Sequence, residues 1–300
     1  MDEPIFPYAR QPDFTEFRNL VYSAYEKEGR VFPWRKKTRK DSAAWGILVS
    51  ELMLQQTQTA RVVSYWNKWM EKWPSPAALN EASLEEVLRE WSGLGYNRRA
   101  RNLKDCAGII VRDFKGTVPA TPDVLITLPG IGPYTAGAIA CFAYNYPSVI
   151  IETNIRAVML HFFFNGREGI RDKEILPLIE ETLDRTNPRK WYWALMDYGA
   201  TLKKQVSNPN RKSAHYTRQS GFKGSFRQIR GSLVRALVSR GPSTAEELLQ
   251  RLKSDAGNIP IEENDFYRAL EILQKELFVA EENGKYKISG RRESPSIEGG

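Results

Sequence analysis

Two glutamates of this sequence stand in apolar surroundings, where a carboxyl group is unusual. Glu51 lies inside the run Ile47-Leu-Val-Ser-Glu-Leu-Met-Leu54, and no Lys or Arg stands three or four residues away to pair with it. A helical glutamate more often faces water, but these neighbours favour burial. Because burial disfavours the charged form, Glu51 is a candidate general acid near neutral pH.

The second glutamate, Glu152, follows the run Ser148-Val-Ile-Ile151 and precedes Thr153-Asn154 at the expected start of a helix. A carboxylate there is also favoured by the helix dipole, so a purely structural cap is an alternative. Hydrolysis at the anomeric carbon of a sugar needs one acid for the leaving group and one anion for the oxocarbenium-like transition state. The two glutamates together therefore match what cleavage of a glycosidic bond requires, with a structural cap at Glu152 as the alternative.

A glycine-containing turn links two apolar helical patterns in residues 128–139, which read Leu-Pro-Gly-Ile-Gly-Pro-Tyr-Thr-Ala-Gly-Ala-Ile. Gly130 and Gly132 permit a tight turn and close approach of a ligand to the backbone. The N–H groups at the start of the second helix, near Tyr134 and Thr135, form an anion site that suits a DNA phosphate. A bare Gly-x-Gly also fits an ordinary corner, but the full string predicts a helix-hairpin-helix.

The composition excludes several classes of protein. The 300 residues are 41% hydrophobic, which is ample for a packed core and excludes a wholly disordered chain. No apolar run approaches the roughly 20 residues of a membrane span, and the N-terminus lacks a signal-peptide layout, which predicts a cytoplasmic or nucleoid protein. Two cysteines, Cys106 and Cys141, cannot supply four thiolates to a metal. The net charge of +8 is compatible with a polyanionic partner.

The elements that position these residues are predicted to be mainly α-helices. Apolar spacing predicts helices over residues 44–59, 62–71, 84–91, 99–113, 135–144 and 154–164. Residues 201–230 then contain eight basic and no acidic residues, among them Lys203 and Lys204, which predicts an extended arm. Further helices at 225–239, 245–254 and 263–277, with strands at 278–280 and 285–288, predict a small winged-helix-like module.

The order of the motifs resembles that of MutY-type adenine DNA glycosylases, which belong to the helix-hairpin-helix glycosylase superfamily. The matching motifs are Pro33-Trp-Arg35, Ser50-Glu-Leu-Met-Leu-Gln-Gln-Thr-Gln58, Gly93-Leu-Gly-Tyr96, Arg99-Ala-Arg-Asn-Leu103, residues 128–139, Glu152-Thr-Asn-Ile-Arg156 and Ala194-Leu-Met-Asp-Tyr-Gly-Ala200. The resemblance implies a glycosylase domain over residues 1–205. We expect a basic linker over 206–224, the winged-helix-like module over 225–290 and a disordered tail over 291–300.

The resemblance also implies roles for four residues of the site. Glu51 matches the glutamate that protonates the purine at N7 and activates water. Glu152 occupies the position of the aspartate that stabilises the oxocarbenium ion, and Asn154 matches an asparagine near the same centre. Tyr134 stands where bifunctional lyases carry a Schiff-base lysine, which implies a monofunctional enzyme.

Contacts to double-stranded DNA are implied in the same way. Gln55 and Gln56 match the turn that enters the duplex, and Tyr96 matches the tyrosine wedged beside the opposing base. Such a plug offsets part of the few kcal/mol that unstacking a base costs. Arg98, Arg99 and Arg101 neutralise phosphates or are plain surface residues. The remaining predicted contacts to DNA are Gly130, Gly132, Thr135, Lys203 and Lys204.

Three departures from the family pattern bear on function. Glu152 is one methylene longer than the family's aspartate, which moves its carboxylate by about 1 Å. The four-cysteine iron–sulfur loop should follow Ala200, but residues 201–208 contain no cysteine, which predicts an enzyme without a cluster or other cofactor. The winged-helix-like module replaces the 8-oxoguanine-reading domain. Its helix at 265–275 has only Arg268 and Lys275 as cations, so a protein-contact or dimerisation role is an alternative.

The sequence therefore predicts a monofunctional glycosylase of base excision repair. It is expected to flip adenine out of a pair with G or 8-oxoguanine and to hydrolyse its N-glycosidic bond. One alternative is a mismatch glycosylase that removes thymine or uracil opposite G. Another is a DNA-damage binding protein with little catalysis, which the glutamate at position 152 keeps open.

Overall fold

The computed structural model describes residues 14–36, 40–217, 224–256 and 261–290, and these residues form a mainly helical protein. The helices are α1 Phe14–Glu28, α2 Lys40–Leu54, α3 Thr59–Lys72, α4 Pro76–Glu81, α5 Leu84–Trp91, α6 Arg98–Phe114, α7 Pro122–Leu125, α8 Pro133–Tyr144, α9 Thr153–Phe163, α10 Asp172–Thr182, α11 Pro188–Gln205, α12 Phe226–Arg240, α13 Ala245–Ala256 and α14 Glu263–Lys275. Two antiparallel strands follow, β1 Val279–Glu282 and β2 Lys285–Ile288. Within the described residues, no helix is both long and apolar enough to span a membrane.

The chain divides into two compact units. Unit 1 contains the described residues up to Leu52 and those from Val118 to 217. Unit 2 contains Met53–Thr117 and the described residues from 224 onwards. The predicted winged-helix-like module therefore forms one compact unit with α3–α6.

Unit 1 is built around the crossing of α9 and α11. Gly199 makes this crossing close, because a Cβ atom there would lie 2.3 Å from the carbonyl oxygen of Asn154. Phe17 of α1 adds aromatic contacts, with its ring centroid 5.1–5.8 Å from those of Phe162, Phe163 and Trp191. The start of α9, which carries the site residues, is thus fixed against a rigid core.

The predicted hairpin is formed by α7, the turn at residues 126–132 and α8. Gly130 has φ +74°, a conformation that favours glycine, whereas Gly132 has φ −90° and is the N-cap of α8. Ile131 is buried between them. The backbone conformation at position 130 favours glycine. At position 132 glycine is needed only where a ligand approaches the backbone closely.

The core of unit 2 is rich in tryptophan. Trp69 of α3 packs edge-on against Trp73 and Trp91, with ring centroids 4.6 and 5.5 Å away. The predicted capping box of α5 is present, since Ser83 accepts from the N–H of Glu86 and the Glu86 carboxylate accepts from the N–H of Ser83.

The module at the C-terminal end contains the predicted three helices and hairpin. In the hairpin Val279 pairs with Ile288 and Glu282 with Lys285. Ser243, between α12 and α13, forms an isolated antiparallel bridge with Tyr286 of β2, which the sequence did not predict. The predicted helices and hairpin are thus present, and α12 packs against α5 within unit 2.

Two segments differ from their predictions. Helix α2 ends at Leu54 instead of residue 59, because Gln56 adopts a left-handed conformation with φ +56°. Residues 206–217 are folded, not extended: Pro209–Lys212 forms a 3-10 helix, buried Asn210 donates to the carbonyl of Thr153, and Ser213 bridges to Ile170. Residues 218–223 and the predicted tail 291–300 lie outside the described residues.

Candidate active site

Glu51 and Glu152 lie in unit 1, where the charge of one affects the pKa of the other. Glu51 lies near the end of α2 with 7% of its surface exposed, and Glu152 is the N-cap of α9. Burial raises the pKa of Glu51 to about 8, and the negative charge of Glu152 contributes to this rise. The two carboxyl groups are thus close enough to repel each other, as the predicted acid–anion pair requires.

The carboxylate of Glu152 is surrounded by hydrogen-bond donors. Its Oε1 accepts from the backbone N–H groups of Asn154 at 2.7 Å and Ile155 at 2.8 Å, and its Oε2 accepts from the Asn154 side chain at 3.1 Å. Burial raises the pKa of Glu152, whereas these bonds and the nearby Lys203 ammonium oppose the rise. The Glu152 carboxylate is therefore both the N-cap of α9 and the predicted anion. The N–H groups at the start of α9 that it caps also stabilise its negative charge.

Glu51 lacks such support. No side chain in the described part of the chain donates a hydrogen bond to its carboxyl group, and its desolvation is opposed only by the charge of Arg35. Burial raises the pKa of both carboxyl groups, but the hydrogen-bond donors around Glu152 oppose the rise, so Glu152 gives up its proton more readily than Glu51. Such a separation assigns acid and anion roles in a carboxylate pair.

Tyr134 and Asn154 complete this cluster. Tyr134 is the second residue of α8, and burial together with the charges of Glu51 and Glu152 raises the pKa of its phenol well above the usual value. The phenol is therefore neutral at physiological pH. Asn154 contacts Glu152 through both its backbone and its side chain, so its contact is with the predicted anion.

A buried ion pair that the sequence analysis did not assign lies beside Glu51. The guanidinium of Arg35 donates to both carboxylate oxygens of Asp197, at 2.8 and 3.0 Å, and lies over the rings of Phe32 and Trp193. Both residues stand in motifs that carry the family resemblance. Their pairing across 162 positions could not be read from local spacing, because only the fold brings them together.

The predicted cations at the end of α11 differ from each other. Lys203 is half-buried and within electrostatic reach of Glu152, which favours the charged form of the lysine against its desolvation. Lys204 is exposed. Lys203 is thus placed at the predicted site and Lys204 at the surface.

The hairpin exposes its backbone at the two glycines. Gly130 and Gly132 are exposed, and a Cβ atom at Gly132 would have no neighbour within 4 Å. Thr135 is buried, and the contact predicted for it is through the backbone N–H groups at the start of α8, which stays a prediction. The N-terminus of α8 is nevertheless approachable at Gly132, as a phosphate-binding hairpin needs.

Arg99, in unit 2, is a buried residue and not the surface cation that the sequence predicted. It is 6% exposed, because its guanidinium binds the backbone and side chains of two turns. The acceptors are the carbonyls of Met53 at 2.7 Å, Gln55 at 2.6 Å, Leu94 at 3.2 Å and Gly95 at 2.9 Å, and the Thr57 hydroxyl at 3.0 Å. One side chain thus fixes both turns that were predicted to enter DNA.

Each of these turns exposes one non-glycine residue in a left-handed conformation. Gln56 has φ +56° and Tyr96 has φ +50°, and both are exposed, Tyr96 to 40%. Large side chains rarely adopt this backbone conformation, and it persists only where surrounding bonds enforce it. Here the bonds of Arg99 enforce it.

Replacing Arg99 with lysine tests this arrangement. Lysine keeps the charge, but one ammonium cannot reach five acceptors on two turns. We expect the free energy of unfolding in urea to fall by about 2–4 kcal/mol, because buried carbonyls lose their donors. Arg112→Lys, at an exposed position on the same helix, is the matched control. Equal urea midpoints for the two variants would contradict the assigned role.

Comparisons with known proteins identify the family of this chain. The family model described as HhH-GPD superfamily base excision DNA repair protein matches residues 49–184. The adenine DNA glycosylase of Mycolicibacterium smegmatis is 37% identical over 246 residues, covering 76% of this chain and 83% of the relative. The human adenine DNA glycosylase is 37% identical over 198 residues, covering 63% of this chain and 36% of the relative.

A solved structure supports the fold alone. The structure of a thermostable thymine-DNA glycosylase superposes with a TM-score of 0.54 at 24% identity, covering 62% of this chain and 86% of that chain. The predicted helix-hairpin-helix fold is thereby confirmed. From the extent and level of its identity to curated relatives, the chain belongs to the adenine DNA glycosylases of the HhH-GPD superfamily of base excision DNA repair proteins.

Proposed function

We propose that this protein is a monofunctional glycosylase that hydrolyses the N-glycosidic bond of adenine in duplex DNA. The observation that carries the proposal is the buried carboxyl pair of unit 1, in which Glu51 favours the protonated form and Glu152 is surrounded by donors. The names of the relatives supply adenine as the base.

The proposed reaction uses Glu51 twice as a proton carrier and Glu152 as the group that stabilises positive charge. Glu51 gives its proton to N7 of the flipped adenine while the C1′–N9 bond breaks, and the bonding electrons leave with the base. Glu152 stabilises the positive charge on the deoxyribose. Water then attacks C1′ and gives its proton to the Glu51 carboxylate, which restores the acid.

Arg35 supports the charged form of Glu51 in the middle of this cycle. Its positive charge lowers the pKa of Glu51 against the effect of burial. The bidentate bond to Asp197 holds the guanidinium in place. Proton transfer to the base therefore leaves a carboxylate that has a fixed cation nearby.

The absence of lyase chemistry is part of the proposal. A lyase needs an amine that attacks C1′ to form a Schiff base, and the position that carries it in bifunctional relatives is Tyr134. The neutral phenol there lies beside both carboxyl groups and forms no imine. Water is therefore the proposed nucleophile.

We also propose that the enzyme works without an iron–sulfur cluster. Such clusters are held by cysteine thiolates, usually four. The segment after α11 is held instead by amide groups: Asn208 accepts from the N–H of Asn210, whose side chain donates to the carbonyl of Thr153. The two cysteines of the sequence are buried one in each unit, Cys141 in unit 1 and Cys106 in unit 2. These donors do not fit a cluster.

The partner is proposed to be duplex DNA with adenine opposite G or 8-oxoguanine. The approachable backbone at Gly132 suits a phosphate, and Gln56 and Tyr96 are exposed on turns that Arg99 fixes. In this proposal the hairpin and the two turns do not read base edges in a groove of the duplex. Recognition of the opposing base depends instead on inserting side chains between stacked bases.

A panel of duplexes tests this function. Duplexes with A·8-oxoG, A·G, A·T, T·G and U·G are incubated with the protein, and half of each sample is treated with alkali. We expect alkali-dependent strand breaks at adenine opposite 8-oxoG or G. Breaks without alkali would overturn the monofunctional assignment, and breaks only at T·G or U·G would overturn adenine as the substrate. Binding without any break would overturn the enzymatic function.

A further inference from the structure

We propose that Arg227, in the C-terminal module, positions Tyr96 for insertion into DNA, so that the module is part of the DNA-reading surface. This inference rests on the proposed function, in which Tyr96 enters the duplex. It assigns the module a role in recognition in place of a separate protein-contact role.

The contact that carries the proposal lies within unit 2. Nη1 of Arg227, the second residue of α12, donates a hydrogen bond to the Tyr96 hydroxyl at 2.8 Å. The Arg227 guanidinium carbon is 6.0 Å from the centroid of the tyrosine ring, and that of Arg99 is 5.6 Å from it. The Tyr96 ring therefore lies near two arginines, Arg99 from the segment Met53–Thr117 and Arg227 from the C-terminal module.

These two arginines fix different parts of Tyr96. Arg99 binds the carbonyls of Leu94 and Gly95 and thereby holds the backbone of the turn. The phenol extends outwards and stays 40% exposed. Arg227 holds the hydroxyl end, where rotation of the side chain would otherwise be least restricted.

The module is itself anchored next to this turn. The Glu276 carboxylate, at the end of α14, pairs with Arg98 of α6 and Arg230 of α12. Arg101 of α6 donates to the backbone carbonyl of Glu276 and lies over the ring of buried Phe278, 5.3 Å from its centroid. Arg227 is thus presented from a helix that is tied to α6, the helix that starts two residues after Tyr96.

The charge distribution also favours the start of α12 over α14 as the segment that faces DNA. The first turn of α12 carries Arg227 and no acidic residue. Helix α14 begins with Glu263 and Asp265, and its two predicted cations are engaged: Arg268 lies over Phe226, and Lys275 pairs with Glu271. The contact to a polyanion is therefore better placed at the start of α12, near Arg227.

A tyrosine held in one orientation loses less freedom when it enters the base stack, so pre-organisation strengthens binding without touching the chemical step. Removing the Arg227 side chain should then weaken insertion and duplex affinity more than the rate of bond cleavage in the bound complex. Arg235 of the same helix gives a matched control, because it is exposed and its contact is with Ser232 of its own helix.

The test is a double-mutant cycle on Arg227→Ala and Tyr96→Phe in the full-length protein. The readouts are the Kd for a duplex with hydrolysis-resistant 2′-fluoro-deoxyadenosine opposite 8-oxoguanine, and the fluorescence of 2-aminopurine placed next to the opposing base. We expect each single variant to weaken binding about tenfold and to reduce the fluorescence gain, with the double variant no weaker than the worse single variant. Arg227→Lys should restore part of the loss, and Arg235→Ala should stay within about twofold of wild type.

Additive effects in the cycle, or an Arg227→Ala variant that behaves like Arg235→Ala, would overturn the proposal. Both readouts are independent of base excision. If the wild-type protein released no adenine but the cycle still showed coupling, the proposed function would fail and the positioning of Tyr96 would stand.

Discussion

Replacing Glu51 with glutamine is expected to lower the single-turnover rate of adenine release by about a thousandfold or more, within the range that general acid–base groups contribute. Glutamine has nearly the same shape but gives no proton to N7 and accepts none from water. Glu51 lies in unit 1 beside Glu152 and is buried, so duplex affinity should stay within about threefold of wild type. Rapid-quench measurement of adenine release, with the Kd for the 2′-fluorinated duplex, separates the two effects.

Two controls make this result specific to the acid. Glu71→Gln makes the same change at an exposed position on α3 and should keep the wild-type rate. The folded-state pKa of Glu51 is raised, so the wild-type protein loses stability as pH rises from about 4.5 through 8, and Glu51→Gln should be the more stable protein at pH 9. A Glu51→Gln variant that is stable and still excises adenine at the wild-type rate would remove Glu51 from the mechanism.

Replacing Glu152 has the second-largest expected effect. Glu152→Gln removes the charge that faces the oxocarbenium ion and replaces one acceptor oxygen with a donor, so we expect a loss of about 10²–10³ in the single-turnover rate. Glu152→Asp keeps the charge but withdraws it by about one bond length from a site built around glutamate, and a loss of about 10–100-fold should follow. Both variants should lose about 1 kcal/mol of stability, since the bonds to Asn154 and Ile155 cap α9.

These variants also distinguish the cap from the anion. If Glu152 acted only as an N-cap, the rate at saturating enzyme would stay near that of wild type while urea midpoints fell equally for both variants. If it acts as the anion, the aspartate variant should be at least several-fold faster than the glutamine variant. Equal rates for the two would contradict the electrostatic role.

What could be predicted from the sequence was local. The capping box at Ser83 and Glu86 and the hairpin around Gly130 depend on neighbours within a few positions, and the structure contains both. The carboxyl pair was found because an unpaired glutamate in an apolar run signals burial. The resemblance of motifs then placed Glu152 beside it, and their mutual effect on pKa agrees with that placement.

What could not be predicted depends on contacts between distant positions. Arg99 stands in an exposed-looking Arg-Arg-Ala-Arg sequence, yet the fold surrounds its guanidinium with carbonyls from 4 to 46 positions away. Arg35 and Asp197 are 162 positions apart, and Arg227 and Tyr96 are 131 apart. Charge alone does not distinguish a buried positioning arginine from a phosphate contact, because both need the same side chain.

The pH dependence of single-turnover adenine release tests the central claim most directly, since it follows the proton that Glu51 must carry. With A·8-oxoG duplex at saturating enzyme, and with binding checked at each pH, the rate should fall about tenfold per pH unit above pH 8, because deprotonation removes the acid. The residual activity of Glu51→Gln should lack this limb. A rate that stays constant or rises between pH 7 and 9.5 would contradict a protonated Glu51 as the group that releases the base.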